Sequence, residues 1–232
     1  MNVVVCVKQI PDPAAPQSLE PSHNLNRSGK LILDEADTYG VEMALQLVDR
    51  AGAGEVTVVS MGSAQDVAGL RNALAMGAAK AIIVSDDALR GTDALGTAKV
   101  LAAAIRRVNP DLVLAATESS DGYTGTTLKV DRQTEAGYDE VTTSLPALIS
   151  VTAGVVEPRY ASFKGIMAAK SKPVEVLTVA DLGLDGEVGA GGARQTITAV
   201  VQAETRQSGE KHVDDGDGAQ KIIAFLESIK VL

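Results

Sequence analysis

Glu55-Val56-Thr57-Val58-Val59-Ser60-Met61 and Ala81-Ile82-Ile83-Val84-Ser85, with the helical stretch between them, decide the fold of this chain. Both runs are continuous in β-branched and apolar residues, the pattern of strands buried on both faces. Between them Val67, Leu70, Leu74 and Met76 recur at helical spacing, and Gly77 stops the helix. A strand, one helix and a second such strand make a βαβ unit, whose strands lie parallel.

The same grammar extends in both directions. Upstream, Val3-Val4-Val5-Cys6-Val7 reads as a first buried strand, and residues 10–33 form a polar connection carrying Pro11, Pro13, Pro16 and Pro21. Asp34, Glu35 and Asp37 give the next helix an acidic, cap-rich start. Val41, Ala44, Leu45 and Val48 line its apolar side until Gly52 and Gly54. Downstream, Thr92 or Asp93 caps a helix with Leu95, Ala98, Val100, Leu101 and Ile105, and Asp111-Leu112-Val113-Leu114-Ala115-Ala116 is a fourth strand. Strands separated by single helices predict an α/β fold with a doubly wound, mostly parallel sheet.

Past Thr127 the pattern changes. Lys129-Val130-Asp131-Arg132 and Asp139-Glu140-Val141-Thr142-Thr143, joined across Glu135-Ala136-Gly137, predict a polar β-hairpin. Ala147-Leu148-Ile149-Ser150-Val151 and Val174-Glu175-Val176-Leu177-Thr178 return to strand patterns. Residues 183–218 are rich in Gly, Asp and Thr with little periodicity, and an amphipathic helix over 219–229 presents Ile222, Ile223, Leu226 and Ile229. The organisation expected is an α/β domain over 1–182 and a C-terminal arm over 183–232 that packs on something else, such as a partner subunit, or is partly disordered.

Composition narrows the function. One Cys allows no internal disulfide, and with two His a Cys/His zinc site is excluded. A formal charge of −9 offers no footprint for nucleic acid or anionic lipid. The apolar opening is far shorter than the ~18 residues of a membrane span and lacks a basic leader region, so the expected location is the cytoplasm.

Ligands of open parallel sheets bind beyond the carboxyl ends of the strands. The most informative end is Ala116-Thr117-Glu118-Ser119-Ser120-Asp121-Gly122-Tyr123-Thr124-Gly125-Thr126-Thr127, a loop of small, hydroxyl and glycine side chains. It suits an anion such as phosphate, and it equally suits a plain turn. Neither GxGxxG after the first strand nor GxxxxGK[ST] is present, which disfavours a standard dinucleotide site and a P-loop. Cys6 lies within a strand and reads as an inert thiol, while His23 and His212 fall in polar connections. The residues argue for binding rather than bond-making chemistry.

One further segment stands apart: Glu157-Pro158-Arg159-Tyr160-Ala161-Ser162-Phe163-Lys164-Gly165-Ile166-Met167-Ala168-Ala169-Lys170. It reads either as a loop with one core anchor or as an exposed apolar contact ringed by basic groups, suited to an acidic partner. This segment closely resembles the signature of the electron transfer flavoprotein β subunit. The resemblance runs over nearly the whole chain, including the opening Val4-Val5-Cys6-Val7-Lys8-Gln9, Leu74-Ala75-Met76-Gly77-Ala78, the Asp121-Gly122 loop and the C-terminal helix.

That resemblance implies a Rossmann-like fold of the adenine-nucleotide-binding type and a heterodimer whose α subunit holds the redox FAD. Electrons would arrive from acyl-CoA and related dehydrogenases and leave toward a quinone oxidoreductase. The β subunit would bury a structural AMP in a pocket involving Cys6, Asp34, Glu35, Ala36, Asp37, Met61 and residues 116–127, with backbone groups at Cys6 and Met61 lining the adenosine and Gly122 to Thr127 holding the phosphate. Arg159, Tyr160, Phe163, Ile166 and Met167 would meet the partner, Phe163 standing where the family commonly carries Leu. Two other readings remain: an electron-bifurcating variant with a second FAD in this subunit, supported by Thr92 and Asp93 at a helix start, and a free-standing nucleotide-binding stress-type protein. Family members also carry about 30 more residues after Thr127, one βα unit. Either a mobile stretch is absent between Thr127 and Leu128, or the sheet is left open there and holds nucleotide less tightly.

Overall fold

Val3, Val5, Val56, Val58 and Ile83 face one side of a parallel sheet, and Val4, Val59, Ile82 and Val84 face the other. This alternation, with both sides apolar, is why the strands read as unbroken hydrophobic runs. The computed structural model describes residues 1–116, 123–124, 127–135, 137–201, 211, 214, 216–228 and 230. It comprises two units, Met1–Ile197 and Thr198–Leu232.

The first unit runs β1 (Asn2–Cys6), β2 (Gln9–Pro11), β3 (Leu31–Leu33), α1 (Glu35–Ala51), β4 (Glu55–Met61), α2 (Ala68–Met76), β5 (Lys80–Val84), α3 (Ala94–Arg106) and β6 (Leu112–Ala116). It continues with β7 (Tyr123–Thr124), β8 (Thr127–Thr134), β9 (Gly137–Ser144), β10 (Ala147–Val151), α4 (Phe163–Ala169), β11 (Val174–Leu177) and α5 (Gly189–Gly192). The central sheet has the order β10-β6-β1-β4-β5-β11, with every neighbouring pair parallel. The doubly wound α/β expectation holds.

Local chemistry sets the helix ends. Asp34 caps α1 by accepting from the Ala36 amide at 3.1 Å, and Gly52 closes it in the left-handed conformation at φ 70°. Asp93 caps α3 through the Gly96 amide at 2.8 Å. α1 and α2 pack on the Val3/Val5 side with Val41, Ala44, Leu70 and Leu74, while Val100 and Ala104 of α3 cover the other. Gly40 lets α1 cross β1 closely, since a Cβ there would meet Val5 Cγ1 at 3.3 Å.

The hairpin is β8 against β9, in register from Thr127–Ser144 to Thr134–Gly137, with Arg132–Asp139 at 2.7 Å and a Lys129–Glu140 pair across it. β7 adds a third strand. Thr127 and Leu128 are the first two residues of β8. The crossover from β6 to β10 thus carries a hairpin. Ile149 packs into the α1 side, so its neighbour Leu148 points to the α3 side, where it is 72% exposed.

Two small features escape a pattern reading. β2 and β3 form a three-residue antiparallel pair inside the proline-rich connection. Leu184 and Val188, in the glycine-rich stretch, are buried in the core on the α3 side. The second unit contains α6 (Gly218–Ser228), preceded by Asp214, whose carboxylate accepts from the Gly216 and Gly218 amides at 3.0 and 3.1 Å. Ile229, expected in this helix, lies outside the described residues.

Candidate functional site

From β1 the chain moves to β4 and β5 on one side, then returns to β6 and β10 on the other. The strand order therefore reverses between β1 and β6, the kind of switch point beyond whose carboxyl ends open α/β sheets bind ligands. Cys6 ends β1 beside Ala115 of β6 and Val59 of β4; Ala116 and Met61 end those two strands. Three expected cofactor residues from distant parts of the sequence are thus brought together.

The start of α1 is tied to the same place. The Asp34 amide donates to Lys8 O at 3.0 Å, and the Lys8 amide donates to Asp37 Oδ2 at 2.6 Å. This pair of bonds fixes Asp34, Glu35, Ala36 and Asp37 against the residue that leaves β1. Glu35 is exposed, Asp34 and Ala36 are half-buried, and Asp37 is buried. Burial pushes the Asp37 carboxyl up to about 6, aided by the nearby Asp34 charge and opposed by the Lys8 amide and ammonium. Burial, with the Asp37 charge second, pushes the Cys6 thiol up to about 11. Cys6 is therefore a protonated thiol at neutral pH, unfit as a nucleophile.

The remaining expected cofactor residues are only partly described. Residues 117–122, 125 and 126 lie outside the described residues. Tyr123 and Thr124 are described as backbone in β7, opposite Leu128 and Thr127. Among the described residues no group of three or more His, Cys, Asp or Glu could hold a metal ion.

The second expected site is the segment around α4. Ser162 caps this helix by accepting from the Gly165 amide at 3.0 Å. Tyr160 is 94% exposed and Phe163 81%, with Ile166 and Met167 about half exposed beside them. Ala169 alone of the helix is buried. An exposed aromatic pair, one ring just before a seven-residue helix and one at its first residue, is an uncommon use of apolar surface.

What holds this segment was not legible as a site. Arg159 faces backward, with Nε 2.6 Å from Glu42 Oε2 and Nη2 3.1 Å from Glu42 Oε1 and 3.2 Å from Asp49. Lys172 donates to Leu74 O at 2.8 Å and Ala78 O at 2.7 Å, and Arg71 donates to Ala169 O and Lys172 O, both at 2.6 Å. Glu42, Asp49, Arg71 and Lys172 had one available signal in Glu42. It is an acid among the apolar positions of α1, and a buried acid requires a cation.

Gly165 sits where α4 crosses α2, and a Cβ there would lie 2.4 Å from Ala75 O. Gly165→Ala is therefore expected to lift α4 from α2. The net loss should be about 1–2 kcal/mol, overpacking less the helix preference for Ala. A urea-unfolding midpoint unchanged or raised by this substitution would show that the crossing relaxes freely.

The fold and its strand order define a doubly wound α/β protein with a topological switch point between β1 and β6. The family model for the electron transfer flavoprotein domain matches residues 23–128 and 121–182. The chain is 34% identical over 264 residues to electron transfer flavoprotein subunit beta of Mycobacterium tuberculosis strain H37Rv, covering 100% of this chain and 99% of that one. It is 33% identical over 261 residues to the subunit beta of Thermoanaerobacterium thermosaccharolyticum, covering 100% of both. To that of Clostridium acetobutylicum it is 33% identical over 237 residues, 90% of this chain and 91% of the relative. The chain belongs to the electron transfer flavoprotein subunit beta family, and its role is electron transfer.

The mycobacterial alignment spans 264 positions against 232 residues here. The two segments of the family match meet at 121–128, where β6 gives way to the hairpin.

Proposed function

We propose that this chain pairs with an α subunit that holds the redox FAD, itself holding a structural AMP. The complex takes electrons from acyl-CoA or related dehydrogenases and passes them toward a quinone oxidoreductase. One observation carries the reading: Cys6, Met61, Ala116 and the Asp34–Asp37 turn converge at the switch point of the sheet. The strand ends offer backbone groups to an adenosine, and Asp34 and Asp37 can accept from its ribose hydroxyls or amino group. Bound there, AMP would add bulk and charge at the strand ends without redox chemistry. The chain's own part is to orient it and to present the Tyr160–Met167 surface to the dehydrogenase. Residues 183–232, apart from the stretch with Leu184 and Val188 that packs into this chain's own core, would supply the arm that packs on the α subunit. No helix among the described residues is long and apolar enough to cross a membrane, and a cytoplasmic carrier is the location proposed.

The alternative with a second FAD in this subunit would draw on Thr92 and Asp93. Thr92 Oγ1 donates to Leu89 O at 2.6 Å and accepts from the Gly189 amide at 2.9 Å. Asp93 accepts from Gly96 and from Arg194, both at 2.8 Å. Those contacts occupy the groups that a flavin diphosphate and ribityl chain would use, which favours AMP. Denaturing the purified complex and separating the released nucleotides tests the choice. One AMP and one flavin per complex are expected; two flavins and no AMP would overturn the proposal. Purification as a homodimer without any α subunit would favour the free-standing stress-type reading.

A further inference from the structure

We propose that Glu42 and Arg159 are positioning residues that set the stance of the docking segment, and that Arg159 does not itself meet the partner. The inference rests on the docking reading above and assigns Arg159 a different part within it. The Glu42 side chain is 4% exposed, yet its carboxylate receives four bonds: Arg159 Nε, Arg159 Nη2, the Arg159 amide at 3.2 Å and Gln46 Nε2 at 2.9 Å. Burial alone would raise its carboxyl, but the Arg159 and Gln46 bonds outweigh burial and hold it below the usual carboxylate range. A two-pronged guanidinium–carboxylate pair fixes direction as well as distance. It fixes the residue that immediately precedes Tyr160 and lies four positions before Phe163.

The far end of the segment is fixed the same way. Lys172 donates to Leu74 O in the last turn of α2 and to Ala78 O just beyond it, and Arg71 reaches back to Ala169 O and Lys172 O. Cations thus clamp both ends while the exposed apolar groups stand between them. With Arg159 committed to Glu42 and Asp49, and Lys172 to α2, the charges left for an acidic partner are Lys164 and Lys170. Both are exposed and form no ion pair among the described residues.

Positioning and contact predict different salt behaviour, because a charge that faces the partner steers association while one turned into the fold does not. The test uses the purified αβ complex and one acyl-CoA dehydrogenase from the same cell, with KM and kcat measured across ionic strength. Glu42→Gln and Arg159→Lys are expected to raise KM about tenfold, since a small misplacement of a positioned group costs one to two orders of magnitude. The loss should fall on KM rather than kcat. The salt dependence of KM should stay parallel to wild type in both variants and in Arg159→Gln. In Lys164→Gln and Lys170→Gln it should flatten. Arg159→Lys keeps the charge and loses only the fork, so it separates geometry from charge and is mild enough to fold.

A wild-type KM in Glu42→Gln would overturn the proposal, because Glu42 can act only through Arg159. A flattened salt dependence in Arg159→Gln would also overturn it by placing Arg159 against the partner. Phe163→Ala in the same series distinguishes the underlying reading. If it too leaves KM unchanged, the docking surface itself is wrong; if it alone raises KM, only the positioning role fails.

Discussion

Phe163→Ala is expected to raise the KM for electron transfer from an acyl-CoA dehydrogenase about thirtyfold while leaving nucleotide content and thermal stability unchanged. A Phe ring offers roughly 150–250 Å² for burial, an upper bound of about 4–6 kcal/mol at 25 cal/mol per Å². Ordering and docking costs absorb part of this, and about 2 kcal/mol is the usual threshold of an interface anchor, equivalent to roughly thirtyfold. Stability should not follow, because the ring is 81% exposed and Ser162 still caps the helix. Substitutions at such surface positions stay within about 0.5 kcal/mol. Phe163→Leu, restoring an apolar tip of the size common in the family, should recover most of the coupling. An unaltered KM toward every dehydrogenase tried, or a Tm fall in Phe163→Ala, would mean that the ring serves the fold instead.

The parts of the fold that were legible are those in which local pattern and burial agree. The β4–α2–β5 unit is one: its strands are apolar throughout because helices cover both faces, and Leu70 and Leu74 repeat toward the sheet. The hairpin was legible from its turn, although its strands extend beyond the sequence reading to Thr127–Thr134 and Gly137–Ser144. By contrast, β2 and β3 are three residues each, and Pro11 breaks the signal that Ile10 begins. Leu184 and Val188 are two anchors in a glycine-rich stretch, too few to set a period. Leu148 reads as a core residue from its run and is exposed, no helix being present among the described residues of the β6–β10 crossover.

At the site, chain order places Cys6, Met61 and Ala116 at strand ends, and those ends are where βα units converge. The direction in which a charged side chain turns is a different kind of fact. Arg159 sits in a basic, aromatic segment and reads as a partner contact, yet its fork faces Glu42, 117 positions earlier. Nothing local encodes that contact. It follows from α1 and the 157–172 segment lying side by side, which the sheet order produces.

Asp37→Asn is expected to stabilise the isolated subunit above pH 6 and to remove a pH dependence present in the wild type. Folding raises the Asp37 pKa from 3.8 to about 6, so between these values the folded protein holds a proton that the unfolded chain has released. Stability therefore falls as pH rises from about 4 to about 6 and stays low above it. A shift of about two units corresponds to roughly 3 kcal/mol, or about 6–10 °C in Tm for a chain of this length. Asparagine has no such penalty. Its carbonyl can still accept from the Lys8 amide, and its amide N–H would face the Asp34 charge that now repels Asp37. If the Asp37 carboxylate accepts a bond from the nucleotide, the same substitution should lower AMP per subunit severalfold as stability rises, a trade seen where a strained group is kept for its function. Melting curves from pH 4.5 to 8, with nucleotide counted after denaturation, separate the two effects. Parallel pH profiles for variant and wild type would exclude Asp37 as the titrating group, and full AMP content in a stabilised variant would exclude it as a ligand contact.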